Sequence, residues 1–206
     1  MKEIWDNGDR SYLIFQTPLT LENLQELSYE EADRSRERFY SGDDIIEGSR
    51  LDNELNGYLG DDTIIGRSGD DVIYTGAGKN NVQAGKGDDL IISEGIRDKV
   101  WTGHGDDAVI IGRNSNKNKS AMQIMDFDAE SDIIGLDTDK FSRYVPTVIL
   151  TQEFSGSSGE VVVERKSKYT QLMIDTSGNE KADLFVKLFR NDSLDSQITP
   201  ENFEYF

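Results

Sequence analysis

Residues 57–74 read Gly57-Tyr-Leu-Gly-Asp-Asp-Thr-Ile-Ile65 and then, without a gap, Gly66-Arg-Ser-Gly-Asp-Asp-Val-Ile-Tyr74. Two nonapeptides with glycine, aspartate and isoleucine in the same places set a nine-residue grid, and it extends in both directions. Glycine falls on it at Gly42, Gly60, Gly69, Gly78, Gly87 and Gly105, with Leu51 and Ile96 at the two remaining points. Two places on, the column is Asp44, Asn53, Asp62, Asp71, Asn80, Asp89, Asp98 and Asp107. Two places further it is Ile46, Leu55, Ile64, Ile73, Val82, Ile91, Val100 and Val109. Eight repeats over 39–110 keep phase with no insertion.

The residue types say what each column does. Glycine tolerates the positive φ of a tight turn. The acidic residue follows within that turn, and the aliphatic residue sits on a short strand facing inward. Two nonapeptides then make one coil of turn, strand, turn, strand, and coils stack about 4.8 Å apart. Stacking aligns the acidic column into two ladders, Asp44-Asp62-Asn80-Asp98 and Asn53-Asp71-Asp89-Asp107. Carboxylates and turn carbonyls converging between rungs form an all-oxygen environment suited to Ca2+. The expected fold is all-β: a parallel β-roll solenoid with a small hairpin/helix cap before it and an antiparallel cap after it.

The pattern G-G-x-G-x-D-x-U-x, as it stands in 57–74, resembles the repeats-in-toxin proteins, the hemolysin-type toxins and serralysin-type proteases. Ile124-Met-Asp-Phe-Asp-Ala-Glu-Ser-Asp-Ile-Ile-Gly-Leu136 is similar to the segment that follows the roll in that family. Thr170–Asn179, Ala182–Leu188 and Leu194–Phe203 are similar to its last strands, as seen in serralysins and in the non-catalytic R-modules of mannuronan epimerases. The resemblance covers about residues 39–206, and it implies Ca2+ as cofactor, folding coupled to its uptake, and export from the cell. Departures from the pattern are Thr75, Ala84, Ser93 and Thr102 in place of the first glycine, and Arg97 beside Asp98 in the repeat around Ile96. On these grounds Asp71/Asp89 and Asp89/Asp107 are the strongest sites and Asp44/Asp62 a good one. Asn53, Asn80 and Asp98 make weaker ones.

Charge supports the same reading. The chain carries a net charge of −18. Residues 39–110 hold 15 acidic and 6 basic side chains, a net of −9. About four or five Ca2+ ions would cancel that excess, within the roughly three to six ions the turns are expected to hold. A nucleic-acid partner is excluded, because phosphate binding needs a basic footprint. There is no cysteine, hence no disulfide or thiolate chemistry, and no apolar run long enough to span a membrane. The amino terminus lacks the apolar stretch of a cleaved secretory signal.

Three regions are expected: 1–38 as a cap (a hairpin around Asn7-Gly8 from Ile4-Trp5 to Tyr12–Phe15, then helix), 39–119 as the roll, and 120–206 as the β cap. His104, the single histidine, is expected in an exposed loop and no enzyme is expected. Asp175-Thr-Ser-Gly-Asn179 with Asp183 reads as a hairpin turn, or as a holder of a further cation. On the even-repeat face, Val72/Tyr74, Leu90/Ile92 and Ala108/Ile110 form an apolar stripe that needs a cover. The sequence therefore predicts Tyr74, Leu90 and Ile92 to be largely buried, beneath the chain itself, another protein or a second copy, and Asn81 and Gln83 to be exposed. The expected function is a non-catalytic calcium-binding module, structural or adhesive, extracellular and secreted or particle-associated. The alternative is binding of an acidic, polyuronate-type polysaccharide.

Overall fold

The computed structural model describes residues 12–14, 41–94, 97–111, 122–136, 149–189 and 198–205. Nonapeptide periodicity becomes alternation between two sheets. The odd repeats supply β2 (Ile45–Glu47), β4 (Thr63–Ile65), β6 (Asn81–Lys86) and β8 (Lys99–His104). The even repeats supply β3 (Glu54–Asn56), β5 (Val72–Gly76), β7 (Leu90–Ser93) and β9 (Ala108–Ile111). Among these repeat strands every neighbour within a sheet is parallel and eighteen residues away, as in Ile46↔Ile64↔Val82↔Val100 and Leu55↔Ile73↔Ile91↔Val109. Those eight side chains face each other between the sheets and are 0–6% exposed. Each full burial of an aliphatic side chain contributes about 1.5–3 kcal/mol, so the column is the stabilising spine of the roll.

The roll does not end with the repeats. β10 (Met122–Ile124) adds parallel to β8, and β11 (Ile133–Leu136) adds parallel to β9. One further coil is thus built from off-grid sequence, and Ile124 and Ile134 extend the two core columns. β12 (Ile149–Thr151), β13 (Glu160–Arg165), β14 (Tyr169–Asp175) and β15 (Leu184–Phe189) follow. The expected antiparallel cap is confined to β13-β14-β15. β15 returns parallel onto β10, and β16 (Phe203–Tyr205) parallel onto β11. Asn202 Nδ2 donates to the Ala129 carbonyl at 2.9 Å, tying the end of the chain to the extra coil.

At the other edge, β1 (Tyr12–Ile14) pairs parallel with β2. The expected partner arm of a hairpin and the helix after it lie outside the described residues. Residues 111–119 fit the columns poorly and read from sequence as an exit loop; Ile111 instead ends β9 with its side chain fully buried in the core, and 112–119 lie outside the described residues.

The apolar stripe requires a correction. Tyr74, Leu90 and Ile92 are half-buried rather than largely buried, and Asn81 is half-buried while Gln83 is exposed. Rungs this close shield one another's flanks, so the apolar outward residues Ile45, Ile65 and Trp101 of the odd sheet are half-buried too, while Ile110, the last of the even stripe, is buried at 7% exposure.

Candidate metal centre

Five of the turns among the described residues, 57–60, 66–69, 75–78, 84–87 and 102–105, are each made by two residues in the left-handed region, one place and three places after the first position of the nonapeptide. The earlier one is Tyr58 (φ 59), Arg67 (φ 82), Gly76, Gly85 or Gly103; the later is Gly60, Gly69, Gly78, Gly87 or Gly105. At the later position glycine is required twice over. A Cβ on Gly78 would stand 1.9 Å from the Gly60 carbonyl oxygen, and one on Gly105 2.1 Å from that of Gly87. Turns therefore rest directly upon turns. Leu51, at one of the two grid points without glycine, turns its side chain out and is 71% exposed. That turn is closed instead by Ser49 N–H donating to Asn53 Oδ1 at 2.6 Å.

This stacking puts the acidic columns within hydrogen-bond reach of neighbouring coils. Asp62 Oδ1 accepts from the backbone N–H of Asp44, Asn80 Oδ1 from Asp62 and Asp98 Oδ1 from Asn80, all at 2.8–2.9 Å. On the opposite edge Asp71 accepts from Asn53, Asp89 from Asp71 and Asp107 from Asp89, each at 2.8 Å. The preceding aspartates make a second ladder in the reverse sense. Asp61 N–H donates to Asp43, Asp70 to Asp52, Asp88 to Asp70 and Asp106 to Asp88, at 2.8–2.9 Å. Consecutive acids thus brace the coils below and above.

One oxygen of each inner carboxylate is committed to this ladder; the other distinguishes the rungs. Asp62, Asp71, Asp89 and Asp107 are 1–2% exposed, and Oδ2 of each is buried with no hydrogen-bond partner. A buried carboxylate oxygen left unsatisfied costs several kcal/mol unless a cation or proton meets it. Burial accordingly pushes Asp62 and Asp89 up to about 7, and Asp71 and Asp107 up to about 6. Backbone donors and adjacent carboxylates modify that main effect.

The surroundings fit an oxygen-seeking ion. A Cβ on Gly66 would lie 2.5 Å from Asp71 Oδ2 and 2.4 Å from the Ala84 carbonyl oxygen. One on Gly57 would lie 2.8 Å from Asp62 Oδ2 and 2.4 Å from the Thr75 carbonyl oxygen. Carboxylate and carbonyl oxygens from successive coils meet over a bare glycine. Among the described residues no three carboxylate or imidazole side chains converge, so an ion here completes its shell with carbonyls.

Asp98 is different. Its Oδ2 accepts two hydroxyl hydrogen bonds at 2.7 Å, from Thr75 Oγ1 and Ser93 Oγ. The off-grid coil repeats the device: Thr102 Oγ1 lies 3.2 Å from Asp132 Oδ2, which also accepts from Asp128 N–H at 2.8 Å. Asp126 Oδ1 accepts from Thr102 N–H at 2.8 Å. Thr75, Ser93 and Thr102 are the hydroxyl residues noted as departures in the first-glycine column, and their role was legible only as a substitution pattern. Of the remaining expected ligands, Asp44 is buried, Asn80 is a buried amide, and Asn53 Oδ1 is taken by its own turn. His104 is exposed at the end of β8.

Fold and turn chemistry together define a parallel β-roll of nonapeptide repeats. The family described as peptidase M10 serralysin C terminal matches residues 4–199, and the chain belongs to it. Among solved structures, the AlgE6R3 subunit of the Azotobacter vinelandii mannuronan C5-epimerase is similar at 18% identity and a TM-score of 0.39, covering 79% of this chain and 80% of its own. The AlgE6R2 subunit of the same enzyme is similar at 17% identity and a TM-score of 0.37, covering 78% and 92%. No curated protein matches the sequence. Among the described residues no helix is long and apolar enough to cross a membrane.

Proposed function

We propose that this chain is a non-catalytic module that folds on taking up Ca2+ in the turns of Asp62, Asp71, Asp89 and Asp107, and that it has a structural or adhesive role outside the cell. The observation that carries this reading is the set of four buried, unpartnered carboxylate oxygens, each in a stacked glycine turn. Ca2+ supplies the positive charge and the oxygen coordination those groups lack. The unfolded chain has no such cages, so binding free energy is folding free energy. Sites of about 10⁻⁴ to 10⁻³ M stay empty at cytosolic calcium and fill in extracellular fluid, which makes folding conditional on location.

Circular dichroism in chelator and in a Ca2+ series tests the proposal. Strand signal is expected to be low in chelator and to rise cooperatively at submillimolar to millimolar Ca2+. Mg2+ is expected to substitute poorly, because it keeps its octahedral water shell. A chain with the same spectrum in chelator and in calcium overturns the reading.

A further inference from the structure

A fifth carboxylate carries the signature of the four in the repeats, and it lies far from them in sequence. Asp175, the last residue of β14, is 0% exposed, and its Oδ2 is buried with no hydrogen-bond partner. Its Oδ1 is fully used, accepting from the backbone N–H groups of Ser177, Gly178 and Asn179 at 2.7–3.3 Å and from Ser177 Oγ.

Its neighbours are acidic. In the β13–β14 pairing Glu160 stands opposite Asp175. Asp183 N–H bonds the Ile174 carbonyl and Leu184 pairs with Ile174, so the register carried one place further sets Asp183 on the other side of Asp175. Three acids thus stand in one row across three strands, on the face opposite the core residues Val161, Ile174 and Leu184. Like charges directly opposite in a sheet are destabilising. Glu160 is 3% exposed, with its carboxylate turned to the Ser155–Ser157 loop. No lysine or arginine among the described residues pairs with any of the three. Two loops, 155–159 and 176–182, fold over the row and meet where Gly178 comes up against the Gly156 carbonyl; a Cβ there would be 2.9 Å from that oxygen.

We propose that Asp175 binds a divalent cation, Ca2+ by the hard carboxylate oxygens of this row, in a site of the carboxyl-terminal sheet that is separate from the repeats. Asp175 Oδ2 is the ligand, and Glu160 and Asp183 supply the flanking negative charge. The ion joins the β14–β15 turn to the 155–159 loop and so fastens the sheet that closes the roll.

Native mass spectrometry of the full chain in saturating Ca2+ counts the ions. Asp175→Asn is expected to bind one ion fewer than wild type with an unchanged circular dichroism spectrum. An unchanged count in a folded Asp175→Asn chain overturns the proposal. Should Asp175→Asn misfold, Asp183→Asn decides, since Asp183 is only half-buried. Binding of one ion is expected to weaken roughly tenfold there, and unchanged affinities throughout overturn the proposal. The two calcium readings separate cleanly. If the repeats bind nothing, one ion remains and Asp175→Asn removes it; if only this inference fails, the repeat ions remain and Asp175→Asn removes none.

Discussion

Asp89→Asn and Asp98→Asn remove the same charge from the same column of the repeat, yet only the first should have a cost that depends on calcium. Asp89 lies between Asp71 and Asp107, its Oδ1 on the Asp71 N–H and its Oδ2 buried and unpartnered. Asparagine keeps its shape and one acceptor, so without calcium the change relieves a buried anion. With calcium it strips a ligand from two adjacent sites. For site constants of about 10⁻⁴ to 10⁻³ M, each site at about 10 mM Ca2+ contributes about 1.4–2.7 kcal/mol. Loss of two costs about 3–5 kcal/mol, growing by about 2.7 kcal/mol for each further decade of calcium. Asp98 already holds two hydroxyl donors at 2.7 Å. Its replacement forfeits those bonds, about 1.5–3 kcal/mol each, by the same amount at every calcium concentration. Urea unfolding of wild type and both variants across a calcium series measures the two slopes. A flat penalty for Asp89→Asn, or an equally rising one for Asp98→Asn, would refute the assignment of ions to one rung and hydroxyls to the other.

Two further outcomes are expected. In chelator, acidification should favour the folded chain, because Asp62, Asp71, Asp89 and Asp107 hold protons more tightly folded than unfolded. That stability is fully present below the unfolded carboxyl value of 3.8 and is lost as pH rises through about 6 to 7, while protons compete with Ca2+ over the same range. Circular dichroism in chelator from pH 8 to pH 4 checks it, and loss of strand signal on acidification would contradict it. Tyr58→Gly removes a bulky, partly exposed side chain from a left-handed position (φ 59). It should raise the unfolding free energy in saturating calcium by up to about 1 kcal/mol; a loss of stability would show that the ring contributes packing of its own.

The three columns of the grid made the two-sheet roll legible, because eighteen-residue stacking follows once strands alternate with turns. The Ile46-to-Val109 spine lies where periodicity puts it, and so do the ladder carboxylates. The extra coil was hidden because its carboxylate, Asp132, lies 25 residues beyond Asp107 instead of 18, so no grid reaches it. Thr75 stood out only as a missing glycine. Its partner Asp98 is 23 residues away, a contact created by stacking and invisible to local pattern. Tyr58 and Arg67 adopt a backbone geometry that bulky residues resist, which residue type alone argues against. The stripe of Tyr74, Leu90 and Ile92 was overestimated, since facing direction was legible and mutual shielding between rungs was not.

Alternation of repeats between the two sheets gives the roll a parity. β10 must meet an odd repeat and β11 an even one for Ile124 and Ile134 to cap the two columns of the spine. Deleting a single nonapeptide would present each of them with the wrong sheet and turn the closing segment over. Deleting or duplicating two would only change the height by one step of about 4.8 Å and leave both ends matched. Length in such a chain is counted in pairs, and the eighteen-residue block is the smallest unit by which it can grow or shrink and still close.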